Sequence, residues 1–216
     1  MKAHYEIEQN SEEWHKMRYG KIGGTLSKGL FIKSDTLLED ILSELCEEFD
    51  LQESYQSFDM IRGQELEPEA RKALSAYIEV ELLECGWLQS EEIPLLGISP
   101  DGISECETIS AEIKCPGAKR HLQTIRLGNI PNDNINQCVH YFTVNPKLQK
   151  HYFCSWRPEN IYKPIFVFML TRDSEINLGT KAKPVIKTVQ QWVDIAKTEA
   201  IELQKQIDVE LEILKF

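Results

Sequence analysis

Ser99-Pro100-Asp101-Gly102, followed downstream by Ala111-Glu112-Ile113-Lys114-Cys115-Pro116, is the stretch on which the reading of this chain turns. Ile109, Ala111 and Ile113 alternate with polar residues, so this segment is expected to be a strand. Side chains two apart on a strand share a face, which sets Glu112 beside Lys114. Ile113 then points into the core while its carbonyl stays near the pair. Asp101 belongs to the preceding turn or strand, where a hairpin brings it beside Glu112. Pro116 ends the pairing.

Two carboxylates and a carbonyl suit a hard divalent cation, Mg²⁺ or Mn²⁺. Such an ion polarises a phosphate and helps generate hydroxide, while the Lys114 ammonium orients water and neutralises developing charge. The letters alone are not specific: an Asp followed later by an acid-x-Lys triplet occurs about twice by chance at this composition. An edge strand with a solvated Glu and Lys accounts for them as well.

Upstream, a helix is expected from about Asp59 or Glu65 to Glu84, stopped by Gly86. Within it, Gly63-Gln64-Glu65-Leu66-Glu67-Pro68-Glu69-Ala70 reads as an opening, with Pro68 in the first turn. Glu67 is a candidate third carboxylate for a metal, but Glu65 and Glu69 fit a helix dipole in the same way. Leu37, Leu38, Ile41, Leu42 and Leu45 recur at helical spacing, giving an amphipathic helix over 36–48. Ser11-Glu12-Glu13-Trp14 reads as a helix start, and that helix should stop near Gly20. The run from Trp14 to Thr25 combines Arg18, glycines and a hydroxyl. It is either a phosphate pocket with Arg18 as a bidentate clamp or a basic helix end with a glycine stop.

Downstream, helices are expected around His121–Leu127 and Ile135–Phe142, then strands at His151–Trp156 and Ile165–Leu170. A long helix is expected over about Val185–Leu214. Gln137 is a candidate substrate contact, with His140 close to the same face. The order of elements gives an α/β (α+β) layer fold with a central mixed sheet flanked by helices and a long C-terminal helix. The chain is expected to form one domain over 1–216, with a core at about 11–175 and a helical extension at about 181–216.

Composition bounds the function. The 216 residues are 42% hydrophobic, enough for a core, and no apolar run approaches a membrane span. The first residues show no secretion signal, so a cytoplasmic protein is expected. Six cysteines, none in a CxxC pair, and five unclustered histidines argue against a zinc or iron–sulfur site. The net charge of −11 argues against a protein that simply coats nucleic acid. The charge is uneven: Asp35 to Asp59 is strongly acidic, whereas no acid lies between Glu112 and Asp133, where Lys114, Lys119, Arg120 and Arg126 occur. That basic segment suits a phosphodiester, although a solvated face accounts for it equally.

Taken in order, the motifs resemble the phage lambda exonuclease family, or YqaJ-like viral recombinases, within the PD-(D/E)xK, restriction-endonuclease-like superfamily. The likeness runs over roughly residues 11–160. It comprises W-H-K-x-R-x-G at Trp14–Gly20, G-x-x-x-E-x-x-A at Gly63, Glu67 and Ala70, S-P-D-G at Ser99–Gly102, E-x-K-C-P at Glu112–Pro116, and Gln137. Arg126-Leu127-Gly128 and the segment Tyr152 to Pro158 also look alike. The resemblance implies an Mg²⁺-dependent (or Mn²⁺-dependent) exodeoxyribonuclease that degrades one strand of duplex DNA from the 5′ end and leaves a 3′ overhang for recombination. Asp101, Glu112 and the Ile113 carbonyl would be metal ligands, Glu67 would be the helix acid at the metal site, which would hold two metals, and Lys114 would position water. Gln137 would lie close to the site, and Arg18 and Thr25 would meet a 5′ phosphate. Thr25 stands where the family usually has serine, and Gly23-Gly24 stands where it usually has Thr-Ala. The family also implies a ring-shaped trimer, a single-strand annealing protein as partner, and a phage or prophage origin. A structure-specific or restriction-like endonuclease and a non-catalytic DNA-binding protein are the competing expectations.

Overall fold

A computed structural model describes residues 1–34, 36–51, 57–180 and 182–215. Asp35 and Glu53 of the acidic stretch lie outside these residues. The chain opens on a short strand, β1 (Lys2–His4). Helix α1 (Glu12–Arg18) begins as its sequence dictates: Ser11 accepts the Trp14 N–H as N-cap, and Glu12 and Glu13 fill the first turn. The chain leaves it through Gly20 at φ 65°. Two short helices follow, α2 (Lys28–Ile32) and α3 (Leu37–Leu45), the second burying Leu37 and Ile41.

Helix α4 (Phe58–Ile78) opens one residue before Asp59, the earlier of the two expected starts, and departs from expectation at its other end. Ser57 caps Met60 at the opening, so Pro68 lies in the interior and not in the first turn. The ring there removes the hydrogen bond to the Gln64 carbonyl, which tertiary packing tolerates. The helix also stops earlier, at Glu79 with φ 56°, because Leu83 must leave the helix to form a bridge with Ile103. Gly86 is therefore not its stop. Gly86 passes so close to the Ile7 carbonyl that a Cβ would lie 2.1 Å from that oxygen.

Strands β2 (Trp87–Gln89), β3 (Gly97–Ile98), β4 (Gly102–Ile103) and β5 (Ile109–Lys114) come next. Helices α5 (Ala118–Leu127) and α6 (Asn132–Val144) follow, then β6 (Lys150–Trp156) and β7 (Ile165–Leu170). The hairpin of β8 (Glu175–Asn177) and β9 (Ile186–Thr188) leads into α7 (Val189–Leu214). The long helix starts at a capping box of Thr188 and Gln191. It does not start at Val185, because 186–188 are used in the hairpin.

The central sheet has the order β4-β5-β6-β7 and is mixed. Strand β5 runs parallel to β6, with α5 and α6 as the crossover, and antiparallel to β4. A second sheet, β1-β2-β3, is antiparallel. β7 closes the main sheet as an edge strand, which explains why Met169 in this apolar run is 44% exposed. Burial divides β5 as its alternation requires. Ala111 and Ile113 pack with Ala70 and Leu74 of α4. The opposite face meets α6, whose Cys138, Val139, Tyr141 and Phe142 join the main core with Phe153 and the buried side of α7.

Gly97 sits against the buried Trp87 ring, where a Cβ would lie 2.0 Å from Cζ2. Gly97→Ala should lower stability by about 1–3 kcal/mol, since neither the ring nor the paired strand can yield freely. Urea unfolding measures this.

Candidate active site

The carboxyl end of β5 holds the group. Glu112 is fully buried on the face toward α6. Its Oε2 accepts hydrogen bonds from Gln137 Nε2 at 2.6 Å and Tyr141 Oη at 2.8 Å. Its Oε1 is buried without a hydrogen-bond partner, facing the Lys114 ammonium, with which it forms an ion pair. Asp101 arrives on the β4 side: its Oδ2 accepts the Ile113 N–H at 2.6 Å. The hairpin register, Gly102 opposite Ala111, brings it there.

The electrostatics follow from this crowding. Burial first, and the Glu112 carboxylate second, push the Asp101 carboxyl well above its usual range, against the pull of Lys114. Burial alone would lower Lys114, but Glu112 and Asp101 override it and hold the ammonium above its usual range. Lys114 is therefore a cation at neutral pH, with its side chain 40% exposed.

Two mutually repelling carboxylates, with only the Lys114 ammonium against Glu112 Oε1, fit a hard divalent cation. Glu67 lines the same cleft as Asp101 and Lys114, with its carboxylate held by Arg71 Nη2 at 2.8 Å. Among the described residues no set of three or more Asp, Glu, His or Cys side chains is arranged to hold a metal. Asp101 and Glu112 meet at the site, and Glu67 lines the cleft beside them.

Two openings flank the group. One is a cleft of about 480 Å³ between α4 and the starts of α5 and α6, lined by Glu67, Asp101, Ile113, Lys114, Arg120 and Ser155. The other is a pocket of about 150 Å³ that brings Arg18, Thr25, Gly24 and Gln137 to Asp101, Glu112 and Lys114. Arg18 stacks on Trp14, its guanidinium carbon 3.8 Å from the ring centroid. Trp14 is itself fixed by donating Nε1–H to Gly86 O at 3.0 Å and Ser99 Oγ at 2.8 Å. A Cβ on Gly24 would fall 2.8 Å from Gln137 Cγ, so glycine leaves the room in which Gln137 reaches Glu112. The basic segment is split. Arg120 lines the cleft but is paired with Asp133, while Lys119 and Arg126 are exposed on α5 and line neither opening.

The sequence from residue 13 to residue 147, more than half of the chain, matches the YqaJ-like viral recombinase domain. The chain belongs to that family. No curated protein matches the sequence. Among solved structures, this YqaJ-like chain is similar to LHK-Exo, an alkaline exonuclease from Laribacter hongkongensis. For its crystal structure with dAMP the TM-score is 0.75 at 23% identity, over 95% of this chain and 96% of that one. A second crystal structure of the same exonuclease gives 0.73 at the same identity and coverage. A phage-related exonuclease from Haemophilus somnus 129PT gives 0.54 at 12% identity, over 93% and 99%. The YqaJ-like chain has the fold of these proteins, its mixed sheet and long C-terminal helix included.

Two residues of the YqaJ-like site were not anticipated. Tyr141 is fully buried, donates to Glu112 and stacks on His151 with centroids 4.2 Å apart. Arg71 donates Nε–H to the Asp101 carbonyl at 2.6 Å and also binds Glu67 and Glu84. Tyr141 lies one turn beyond Gln137 on α6, and this i, i+4 spacing is the sequence signal that pairs them. Arg71 stands in the same relation to Glu67.

The raised Asp101 carboxyl carries a pH dependence. A folded-state pKa above the unfolded value favours the native state at low pH, and that contribution is lost as pH rises through the folded value. Without divalent metal, the melting temperature of Asp101→Asn should therefore gain on that of the wild type as pH rises from about 4. Thermal unfolding across pH in a chelator tests this.

Proposed function

We propose that this protein is a metal-dependent exodeoxyribonuclease of the PD-(D/E)xK type that degrades one strand of linear duplex DNA from its 5′ end, leaving 3′ single strands for phage-type recombination. The observation that carries the reading is the convergence of Asp101, Glu112 and Lys114 between a cleft and an arginine-bearing pocket, in a chain of the YqaJ-like family. LHK-Exo, which shares the fold, is an alkaline exonuclease with a crystal structure in complex with dAMP.

Asp101, Glu112 and the Ile113 carbonyl would hold Mg²⁺, or Mn²⁺ in its place, which when bound supplies Lewis-acid activation of a phosphodiester. Lys114 keeps its proton, orients water and offsets the negative charge that grows on the phosphate. Gln137 and Tyr141 hold Glu112 in a single orientation, so no reorganisation is needed during the reaction. Arg18, braced on Trp14, offers a bidentate fork to a 5′ phosphate, with the Thr25 hydroxyl beside it. Arg120 exchanges Asp133 for a backbone phosphate, and Lys119 and Arg126 add charge along α5. A single-strand annealing partner, a ring-shaped trimer, and action in a bacterial cytoplasm from a phage or prophage belong to the same reading.

The test is digestion of end-labelled linear duplex with Mg²⁺. Release should proceed from the 5′ end, faster with a 5′ phosphate than with a hydroxyl. Lys114→Ala should slow it on the order of 10²–10³-fold. Closed circles cut as fast as linear DNA would point instead to an endonuclease. Binding without any turnover would point to a non-catalytic protein.

A further inference from the structure

The turn joining β6 to β7 carries its apolar side chains outward. Ile161 is 84% and Tyr162 92% exposed, more than any other large apolar side chain among the described residues. A single exposed apolar residue is ordinary; two in succession, held rigidly, form a small preformed patch. The rigidity comes from a network within the turn. Asn160 Oδ1 accepts the N–H groups of Tyr162 and Lys163, both at 3.1 Å. The Arg157 N–H donates to Pro164 O at 2.8 Å. Buried His121 joins the Ser155 hydroxyl to the Lys163 carbonyl, each at 2.8 Å.

The same bonds make the turn an outward continuation of the cleft. Ser155 and Pro116 line the cleft, and Arg157 Nη1 donates to the Pro116 carbonyl at 3.2 Å. From the opposite wall, Arg62 of α4 reaches Glu159 at 2.9 Å. In a chain of net charge −11, this rim has three cations, Arg62, Arg157 and Lys163, around one acid, Glu159.

We propose that Ile161 and Tyr162 form a stacking platform for unpaired nucleobases, on which single-stranded DNA lies as it leaves the cleft, with Lys163 and Arg157 near its phosphates. The chemistry is that of sequence-tolerant single-strand binding: an aromatic face for the base and cations for the backbone. The patch is small, and three cations against one acid leave its rim net positive, which suits a polyanion. The inference rests on the nuclease reading for the direction of the strand, but not for the binding itself.

Anisotropy of a labelled oligothymidylate, titrated with the full chain in a chelator, tests it. Ile161→Ser/Tyr162→Ser should weaken binding by roughly 10-fold to 100-fold. The salt dependence should stay unchanged, because phosphate contacts persist. Tyr162→Trp should bind like the wild type. Equal affinity of the double variant, or no affinity in the wild type, overturns the proposal. So does a wild-type oligomer that the double variant dissociates without losing affinity for the oligonucleotide, since a second copy would then be the occupant. Digestion of linear duplex by the wild type in Mg²⁺, run in parallel, separates the two readings. Loss of binding without wild-type digestion sustains the platform and overturns the nuclease reading, whereas digestion with unchanged binding does the reverse.

Discussion

The arrangement depends on a carboxylate buried in the middle of a sheet-and-helix interface. Glu112 is wholly removed from solvent, and a charge so placed is tolerated only where partners replace water. One oxygen is satisfied by Gln137 and Tyr141, the other faces Lys114. Each partner imposes a further requirement. Tyr141 is buried with Glu112 and is braced by His151, which in turn meets the Ser110 hydroxyl at 2.9 Å. Gln137 needs the space left by Gly24. His140, one residue before Tyr141, ties the Ile22 and Gly97 carbonyls together, each 3.1 Å from Nε2, and so fixes the loop that carries Gly24 and Thr25. Burial lowers this histidine to about 4, so it makes these bonds as a neutral ring. Placement of one acid thus propagates through α6 to the amino-terminal loop.

Much of this was legible because β5 obeys a simple alternation. Its period of two set Glu112 and Lys114 on one face and Ile113 on the other, and the Pro-Asp-Gly turn placed Asp101 at the pairing edge. Long periodic helices and the two seven- and six-residue strands, β6 and β7, were legible for the same reason. The three-residue strands β1, β8 and β9 are too short to show a period, and five-residue α2 is no better. The C-terminal end of α4 and the place of Pro68 within it were misjudged because tertiary demands decided them: Leu83 is needed for a bridge, and Pro68 is tolerated inside the helix.

The site was legible in part. Glu67 could not be told from Glu65 or Glu69 by spacing; the fold sets it in the cleft with Asp101, paired with Arg71. Tyr141 reads as an ordinary core aromatic until its hydroxyl is seen on Glu112. The basic run after β5 splits in two, because a helix turns successive residues to different sides. Arg120 faces the cleft and is neutralised by Asp133, while Lys119 and Arg126 face solvent.

The proposed chemistry depends on a divalent cation held by Asp101 and Glu112. Calorimetric titration of Mn²⁺ into the intact protein, compared with Glu112→Gln, addresses this most directly. Saturable binding of one cation per chain, abolished by the substitution while the fold is retained, is the predicted result. Binding that survives in Glu112→Gln, or an absence of binding in the wild type, would contradict it.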